Sequence, residues 1–390
     1  MVFMKIVVMT YKKLEKLYRE FCEFQKKKYI EDSKEWFGTE DLKITDKQRA
    51  EFFEMYTKYT FVEFWSYVRR IIFGKNVFDL IEKTDNESWD LASILTFLVK
   101  KKIVKVTGSG KAILLDKDLK KYLLPLYTRE QIEKIIAKKL GLKNIKKMLR
   151  KPVSELAKKI AGKDFSYNPN YDQMPISVDS AINVAERILD KYPFYDGFLF
   201  VGDDDFMSIV LSLIVPKFSS TVIDIDENLL DYISSLAKRI NARIKTMKVD
   251  IRSNKKIADN IMGFLMNPPY TAKGVMFFVR FGIKQFSEKG GYGFVIFGDE
   301  TIGKRKLFIQ EFFTKNNLVL EEIVNGKIGY PSNELHAEDV KELREIQHLG
   351  VSSKVIKKHY QLAAFLYVLK YVPWKIKKIN IKGMKIYSYI

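Results

Sequence analysis

The second half of the chain alternates between short apolar runs and amphipathic stretches, and this alternation constrains the fold more than any other feature. Five apolar runs predict buried parallel strands, at residues 198–201, 220–225, 246–249, 263–266 and 291–297. The amphipathic stretches predict helices at residues 177–190, 206–215, 228–241 and 276–286. Such alternation is typical of a doubly wound α/β sheet, in which ligands bind at the carboxyl ends of the strands.

The first half of the chain has a different pattern. Apolar residues recur at three- and four-residue spacing through residues 11–29 and 47–72, which predicts helices. Two further helices, at 77–83 and 91–99, precede a predicted hairpin of strands 102–107 and 112–115 around a Gly-Ser-Gly turn. Helix, helix and hairpin are typical of a winged helix, which either packs as a scaffold or contacts nucleic acid.

A turn-rich, aromatic segment at residues 166–171 separates these two patterns. We therefore predict two domains. Residues 1–165 form a helical and winged-helix α+β domain with a basic linker, and residues 166–390 form a Rossmann-like α/β domain. The C-terminal stretches 362–372 and 376–381 are predicted to be closing strands, and residues 323–349 a loop and helix that can cover the site.

The charge of the chain is unevenly distributed. The formal net charge is +20, from 68 basic and 48 acidic residues. Residues 101–160 hold 18 basic and 5 acidic residues, whereas residues 171–300 hold 15 and 17. The basic stretch is either a solvated helix face or a nucleic-acid contact. Cys22 is the only cysteine, and no apolar run reaches about 18 residues, so we expect a cytoplasmic protein without disulfides or membrane spans.

Acidic residues follow the first three predicted strands. Gly202-Asp203-Asp204-Asp205 comes where a nucleotide-binding domain normally has several glycines. Adjacent carboxylates repel one another unless a cation binds them, although one acid can also serve as a helix N-cap. In Asp224-Ile225-Asp226-Glu227, Asp224 or Asp226 is placed to bind ribose hydroxyls. Asp250, after the third strand, is either an adenine contact or another helix cap.

The fourth predicted strand ends in Asn267-Pro268-Pro269-Tyr270. The two prolines fix the backbone, so the amide and the phenol project at the strand end. Such a turn can accept hydrogen bonds from an amino group and stack against it. This motif resembles that of amino-group methyltransferases acting on adenine or cytosine.

The order of motifs as a whole resembles the branched-chain polyamine synthases, or N4-bis(aminopropyl)spermidine synthases. The resemblance rests on Tyr171-Asp172-Gln173, the Gly-Asp-Asp-Asp turn, the acidic end of the second strand and the Pro-Pro turn. It implies a class I methyltransferase-type domain that transfers aminopropyl groups from decarboxylated S-adenosylmethionine to the N4 amine of spermidine. It also implies a thermophilic source, a homodimer and no tightly bound cofactor or metal.

A physical argument supports the same donor. Decarboxylated S-adenosylmethionine carries only cationic groups on its side chain, so an acidic turn attracts it and repels the carboxylated form. We expect Asp203 and Asp204 to orient the attacking amine and accept its proton, and Asn267 and Tyr270 to position the attacked region. The residues expected to bind substrate are Tyr171, Asp172, Gly202, Asp205, Asp224, Asp226, Asp250, Pro268, Pro269 and Tyr270.

Two other functions remain open from the sequence. The first is an S-adenosylmethionine-dependent amino methyltransferase acting on a nucleic-acid base, which Asn267 and the basic stretch favour. The second is a winged-helix regulator that senses a polyamine or nucleotide. The expected partners are therefore a polyamine and a sulfonium nucleotide, with nucleic acid the less favoured partner.

Overall fold

A computed structural model of the chain describes most of the sequence, in nine segments. The described residues are 2–36, 59–74, 76–78, 88–253, 255–298, 302–324, 328–331, 348–352 and 362–374. The second predicted C-terminal strand, at 376–381, lies outside them, as does most of the predicted covering segment at 323–349.

The C-terminal half is built around a mixed sheet of eight strands. Its strands are β3 (Phe198–Val201), β4 (Ser219–Asp224), β5 (Arg243–Lys248), β6 (Gly263–Met266), β7 (Gly291–Phe297), β8 (Leu318–Ile323), β9 (Ile328–Tyr330) and β10 (Leu362–Tyr371). The order across the sheet is β5-β4-β3-β6-β7-β10-β8, with β9 also paired to β10. Strands β3 to β7 are parallel, and β10 is antiparallel to its three neighbours. This topology confirms the predicted class I methyltransferase-type fold.

Helices cover both faces of this sheet. They are α4 (Arg129–Lys139), α5 (Ser154–Ala161), α6 (Val178–Lys191), α7 (Met207–Ile214), α8 (Glu227–Ile240), α9 (Ala272–Gln285) and α10 (Lys306–Lys315). The buried residues form two apolar clusters, one on each side of the sheet. Phe198 and Phe294 lie in one cluster and Leu199 and Val295 in the other, as the alternation of side chains along a strand requires.

Some predicted boundaries were wrong. Helix α9 begins at Ala272, four residues before the predicted start, because the Thr271 hydroxyl caps it by accepting from the Gly274 N–H at 3.0 Å. Strand β5 begins at Arg243 rather than at residue 246, because pairing with β4 continues through its exposed polar residues. Phe206 lies before helix α7 rather than in it, with a left-handed φ of +50°.

The N-terminal half contains α1 (Val2–Trp36), α2 (Phe61–Phe73), α3 (Ser88–Lys100) and the hairpin of β1 (Val104–Val106) and β2 (Ala112–Leu114). Helix α2 begins at Phe61, where Thr60 and Glu63 form a capping box. Residues 47–58 of the predicted helical stretch lie outside the described segments. Val77 and Phe78 lie in a turn, and residues 79–87 fall outside the described segments. The hairpin is confirmed, but the winged helix stays a prediction.

Helix α2 joins the N-terminal half to the sheet domain. The guanidinium of Arg69 is fully buried and donates to the carbonyl oxygens of Leu189, at 2.7 Å, and Tyr192, at 3.0 Å, as well as to that of Asp190. These carbonyls lie at the C-terminal end of α6, where helical partners are lacking. Residues of both halves share one apolar cluster, and the predicted domain boundary at residue 165 stays a prediction.

None of the described helices is both long enough and apolar enough to cross a bilayer.

Candidate active site

A cavity of about 470 Å³ lies at the carboxyl ends of β3, β4 and β6. From β3 the chain proceeds outward through β4 and β5 toward one edge of the sheet. From β6 it proceeds through β7 toward the opposite edge. The cavity therefore sits at the topological switch point, where ligands bind in open α/β sheets. Ten of the predicted site residues line it, namely Tyr171, Asp172, Gly202, Asp204, Asp224, Asp250, Asn267, Pro268, Pro269 and Tyr270. Asp203, Asp205 and Asp226 do not.

The turn after β3 begins with Gly202, which has a left-handed φ of +72°. A Cβ on this residue would meet nothing closer than the Asp224 Oδ2 atom, at 3.8 Å. Glycine is therefore favoured here by the left-handed backbone conformation, since a Cβ would not be crowded by its neighbours. The turn aims the next three aspartates in different directions.

Asp203 has a different position from the one expected of a catalytic acid. Its side chain is buried, and it accepts from the N–H groups of Met207 at 2.7 Å and Ser208 at 3.2 Å. These are the first N–H groups of α7, so Asp203 acts as a cap for that helix. Burial raises the pKa of Asp203 well above its usual range, against the effect of these hydrogen bonds.

Asp204 is the aspartate of this turn that lines the cavity. Its Oδ2 atom accepts from the backbone N–H of Met174 at 3.0 Å, and its carbonyl accepts from the Tyr167 hydroxyl at 3.2 Å. Burial, followed by the charge of Asp205, raises the pKa of Asp204 well above its usual range. Asp204 therefore combines access to the cavity with an affinity for protons or cations.

Asp205 lies behind the cavity wall and is nearly fully buried. Its two carboxylate oxygens accept from the Ile176 N–H at 2.8 Å and from the Asn267 Nδ2 atom at 3.1 Å. Burial raises the pKa of Asp205 to about 6, although both hydrogen bonds oppose this shift. Asp204 and Asp205 together hold the segment before α6 against the acidic turn.

The end of β4 supplies one acid to the cavity and one to a helix cap. Asp224 lines the cavity, and burial raises its pKa although its Oδ1 atom accepts from the Asp226 N–H at 2.8 Å. Asp226 caps α8 by accepting from the Asn228 N–H at 2.9 Å, and it also accepts from Gln173 at 3.0 Å. Of these two acids, Asp224 is therefore the one open to a ligand in the cavity, and Asp226 fixes Gln173 in the cavity wall.

The turn after β6 forms a hydrogen-bonded group with a residue from a distant part of the chain. Asn267 donates through Nδ2 to Asp205 and, at 2.9 Å, to the hydroxyl of Tyr330. The hydroxyls of Tyr330 and Tyr270 share a further hydrogen bond. Tyr330 ends β9 and is buried. The sequence predicts a covering loop and helix here, which is wrong for Tyr330, since it lies in a strand. No local motif marks Tyr330 as a site residue.

The remaining predicted residues lie around the mouth of the cavity. Asp250 is half-exposed and binds the Arg252 guanidinium in a bidentate pair, with Oδ1 and Oδ2 each 2.9 Å from Nε. The Arg252 side chain holds the pKa of Asp250 below its usual range. Tyr171 and Asp172 are exposed, and Asp172 has a left-handed φ of +56°. Within the described segments, no group of three or more His, Cys, Asp or Glu side chains is arranged to hold a metal ion.

Fold and site together define a class I methyltransferase-type domain with an acidic cavity in place of a glycine-rich turn. A sequence model described as the branched-chain polyamine synthase A C-terminal domain matches residues 149–386. Since this match covers more than half of the chain, the chain belongs to the branched-chain polyamine synthase A family.

Individual relatives are more distant. An uncharacterised protein of Methanocaldococcus jannaschii is 30% identical over 141 residues, which are 36% of this chain and 36% of that protein. The N(4)-bis(aminopropyl)spermidine synthase of the same organism is 26% identical over 133 residues, 33% of this chain and 38% of that protein. The matches therefore span little more than a third of either curated relative.

Among solved structures, the branched-chain polyamine synthase of Thermus thermophilus superposes with a TM-score of 0.45 at 14% identity. That comparison covers 82% of this chain and 90% of the other. The Thermus structure was determined in complex with N4-aminopropylspermidine and 5'-methylthioadenosine.

Proposed function

We propose that this protein transfers aminopropyl groups from decarboxylated S-adenosylmethionine to the N4 amine of spermidine. One observation carries the proposal. Asp204, Asp205 and Asp224 are largely buried in or beside the cavity, and none of them has a basic partner within the described segments. Buried carboxylates without a counter-charge are costly, so a cationic ligand is expected to supply it.

The family and a curated relative support a polyamine as the cationic ligand. The family is that of a branched-chain polyamine synthase, and one curated relative is an N(4)-bis(aminopropyl)spermidine synthase. Spermidine and the decarboxylated donor are both polycations, so both suit an acidic cavity. Intact S-adenosylmethionine adds a carboxylate, which the same acids would repel. The cavity chemistry therefore favours the decarboxylated donor.

In the proposed arrangement the donor nucleoside lies over the ends of β4 and β5. Asp224 binds the ribose hydroxyls, and Asp250 contacts the adenine. The acidic turn holds the aminopropyl end of the donor close to Asp204. Tyr171 and Asp172, at the cavity mouth, bind the distal amines of the polyamine.

Asp204 acts as the base in this scheme. The N4 lone pair of spermidine attacks the propyl carbon bonded to the sulfonium, so that a nitrogen–carbon bond forms as the carbon–sulfur bond breaks. The electron pair of the broken bond stays on sulfur, which leaves as a neutral thioether. Asp204 accepts the proton lost from nitrogen, for which a raised pKa is an advantage. Alignment of donor and acceptor supplies much of the rate.

A methyltransferase acting on a nucleic-acid base is the second candidate. The observation that favours it is that Asn267-Pro268-Pro269-Tyr270, whose motif resembles that of amino-group methyltransferases, lines the cavity. The uncompensated acids argue against it, because its donor is the carboxylated form.

Product analysis separates the two functions. The purified protein is incubated with spermidine and either donor, and the polyamines are identified by mass spectrometry and fragmentation. We expect one or two added aminopropyl units on N4 with the decarboxylated donor and no product with the intact donor. Methylation of DNA or RNA by the intact donor, without aminopropyl transfer, would establish the second candidate instead.

A further inference from the structure

Two hydrogen bonds fix the orientation of the Asn267 amide, and a catalytic role inferred from them rests on the proposed function. Its Nδ2 atom donates to the Asp205 carboxylate at 3.1 Å and to the Tyr330 hydroxyl at 2.9 Å. A primary amide has two N–H donors, so both are used. An ionised carboxylate can only accept hydrogen bonds, so the nitrogen end of the amide, rather than its carbonyl oxygen, faces Asp205. The Oδ1 atom is left as the acceptor that Asn267 offers to the cavity it lines.

Tyr330 is held firmly enough to act on this amide. Only 3% of its surface is exposed, and its hydroxyl also shares a hydrogen bond with that of Tyr270. The preceding residue, Gly329, donates to the Ser180 hydroxyl at 2.9 Å and accepts from the Ser177 N–H at 2.8 Å. Strand β9 is thereby joined to the start of α6.

The same helix start is joined to the acidic turn. Ile176 and Met174, which lie just before α6, donate their N–H groups to Asp205 and Asp204. The phenol that holds the amide and the two acids of the turn, Asp204 and Asp205, are therefore fixed to one common element. Relative placement of this kind is what a displacement reaction requires, because small errors in alignment cost large factors in rate.

We propose that Tyr330 is a positioning residue, which with Asp205 holds the Asn267 amide so that its carbonyl oxygen accepts an N–H of the attacking amine. The amine must be neutral to attack carbon. A second carboxylate beside it, in addition to Asp204, would further stabilise the ammonium form, whereas a neutral carbonyl orients the nitrogen with a much weaker effect on its proton affinity. Asn267 then orients the nitrogen, and Asp204 receives the proton.

A double-mutant cycle tests this proposal. Tyr330→Phe keeps the ring and removes the hydroxyl, so one Asn267 N–H loses its partner and the amide is free to turn. We expect kcat for aminopropyl transfer to fall about tenfold or more, with little change in KM for the donor. In an Asn267→Ala background the same change should have almost no further effect, because Tyr330 acts through the amide.

Two further variants serve as controls for this experiment. Tyr195→Phe removes a hydroxyl before the amino end of β3, at the opposite end of the strand from the cavity, and should match the wild type. Asn267→Asp replaces the neutral acceptor by a carboxylate, so the pH optimum of kcat should rise by about one unit. If Tyr330→Phe does not fold, this pH profile carries the test, and an unchanged optimum would overturn the proposal.

Different experimental outcomes contradict the role of Tyr330 and the proposed aminopropyl transfer. Wild-type protein without aminopropyl transfer contradicts the proposed function. Active wild-type protein together with a Tyr330→Phe variant of equal kcat contradicts the role of Tyr330. An equal fold-loss in the wild-type and Asn267→Ala backgrounds contradicts it as well, because a structural defect would be additive.

Discussion

At the scale of single residues, three neighbouring aspartates do three different things. Asp203 caps a helix, Asp204 lines the cavity and Asp205 holds Asn267. The left-handed turn at Gly202 separates them, because it rotates the successive side chains into different surroundings. Replacing Asp203 or Asp204 by asparagine, one at a time, can therefore distinguish the cap from the residue in the cavity.

Asp204→Asn is expected to lower kcat by about 10²- to 10⁴-fold, because a general base is lost from the cavity. Asp203→Asn is the matched control, since its amide oxygen can still accept from the Met207 N–H. That variant should keep activity within about tenfold of the wild type. Steady-state kinetics of both variants provide the measurement, and equal losses would contradict the assignment.

The same residues make stability depend on pH. Burial raises the pKa of Asp205 to about 6 in the folded protein, from an ordinary value of 3.8. A raised pKa in an acid means that the folded state prefers the protonated form. The contribution of Asp205 is therefore fully present below about pH 4 and is lost as the pH rises through 6, at a cost of at most about 3 kcal/mol.

A bound polycation should reverse this loss. We expect the thermal midpoint of the ligand-free protein to fall between pH 5 and pH 8 as the cavity acids ionise. Spermidine should raise the midpoint more at pH 8 than at pH 5, because it binds the ionised acids. Differential scanning fluorimetry at both pH values measures the shifts, and Asp204→Asn should reduce the difference. Equal shifts at the two pH values would count against a cationic site.

At the scale of elements, helix α2 and the end of α6 form a buried polar contact between the two halves. Arg69 has no exposed surface, and burial lowers its pKa to about 9. The buried charge is offset here because the guanidinium donates to three carbonyl groups at a helix end. The contact is therefore expected to contribute stability, with no direct part in the chemistry.

Arg69→Met should lower the free energy of unfolding by about 2–3 kcal/mol, because it leaves these carbonyls unpaired. Arg187→Met is the control. Arg187 binds Glu322 at 3.1 Å with 31% of its side chain exposed, so its loss should cost less than about 1 kcal/mol. Urea denaturation gives both values. Similar costs for the two variants would show that the buried contact contributes little.

The five parallel strands and the helices between them were predictable, because buried parallel strands are almost wholly apolar. Helix α10 and strands β8 and β9 were not predicted. Phe198–Val201 and Gly263–Met266 have no polar face and were placed correctly. Strand β5 was predicted too short, because its Arg243 and Lys245 side chains are exposed at the sheet edge. The start of α9 was missed because Ala272, Lys273 and Gly274 carry no helical periodicity.

The site was predictable only as far as it is local in sequence. Motifs at strand ends identified Asp204, Asp224 and Asn267, because parallel strands bring their carboxyl ends together. Tyr330 was not identified, since it reaches the cavity through the pairing of β9 with β10, more than thirty residues later in the chain. The capping role of Asp203 was not assigned either, because sequence does not tell which acid of a run faces a helix.

At the scale of the whole molecule, charge is segregated. The chain carries a net charge of +20, whereas Asp204 and Asp224 in the cavity, and Asp205 behind its wall, have no basic partner among the described residues. A cationic substrate therefore depends on local attraction within the cavity, which low-dielectric walls strengthen. Under the proposed function, the donor is therefore selected by the cavity rather than by the overall electrostatic field of the protein.

The most direct test of the account is the ratio of kcat/KM for decarboxylated and intact S-adenosylmethionine, measured with spermidine as acceptor. Juxtaposed like charges cost several kcal/mol, so we predict a ratio of about 10³ or more in favour of the decarboxylated donor. The ratio should shrink in Asp204→Asn, which removes one of the repelling charges. Comparable values for the two donors in the wild type would contradict an acidic cavity that selects a sulfonium without a carboxylate.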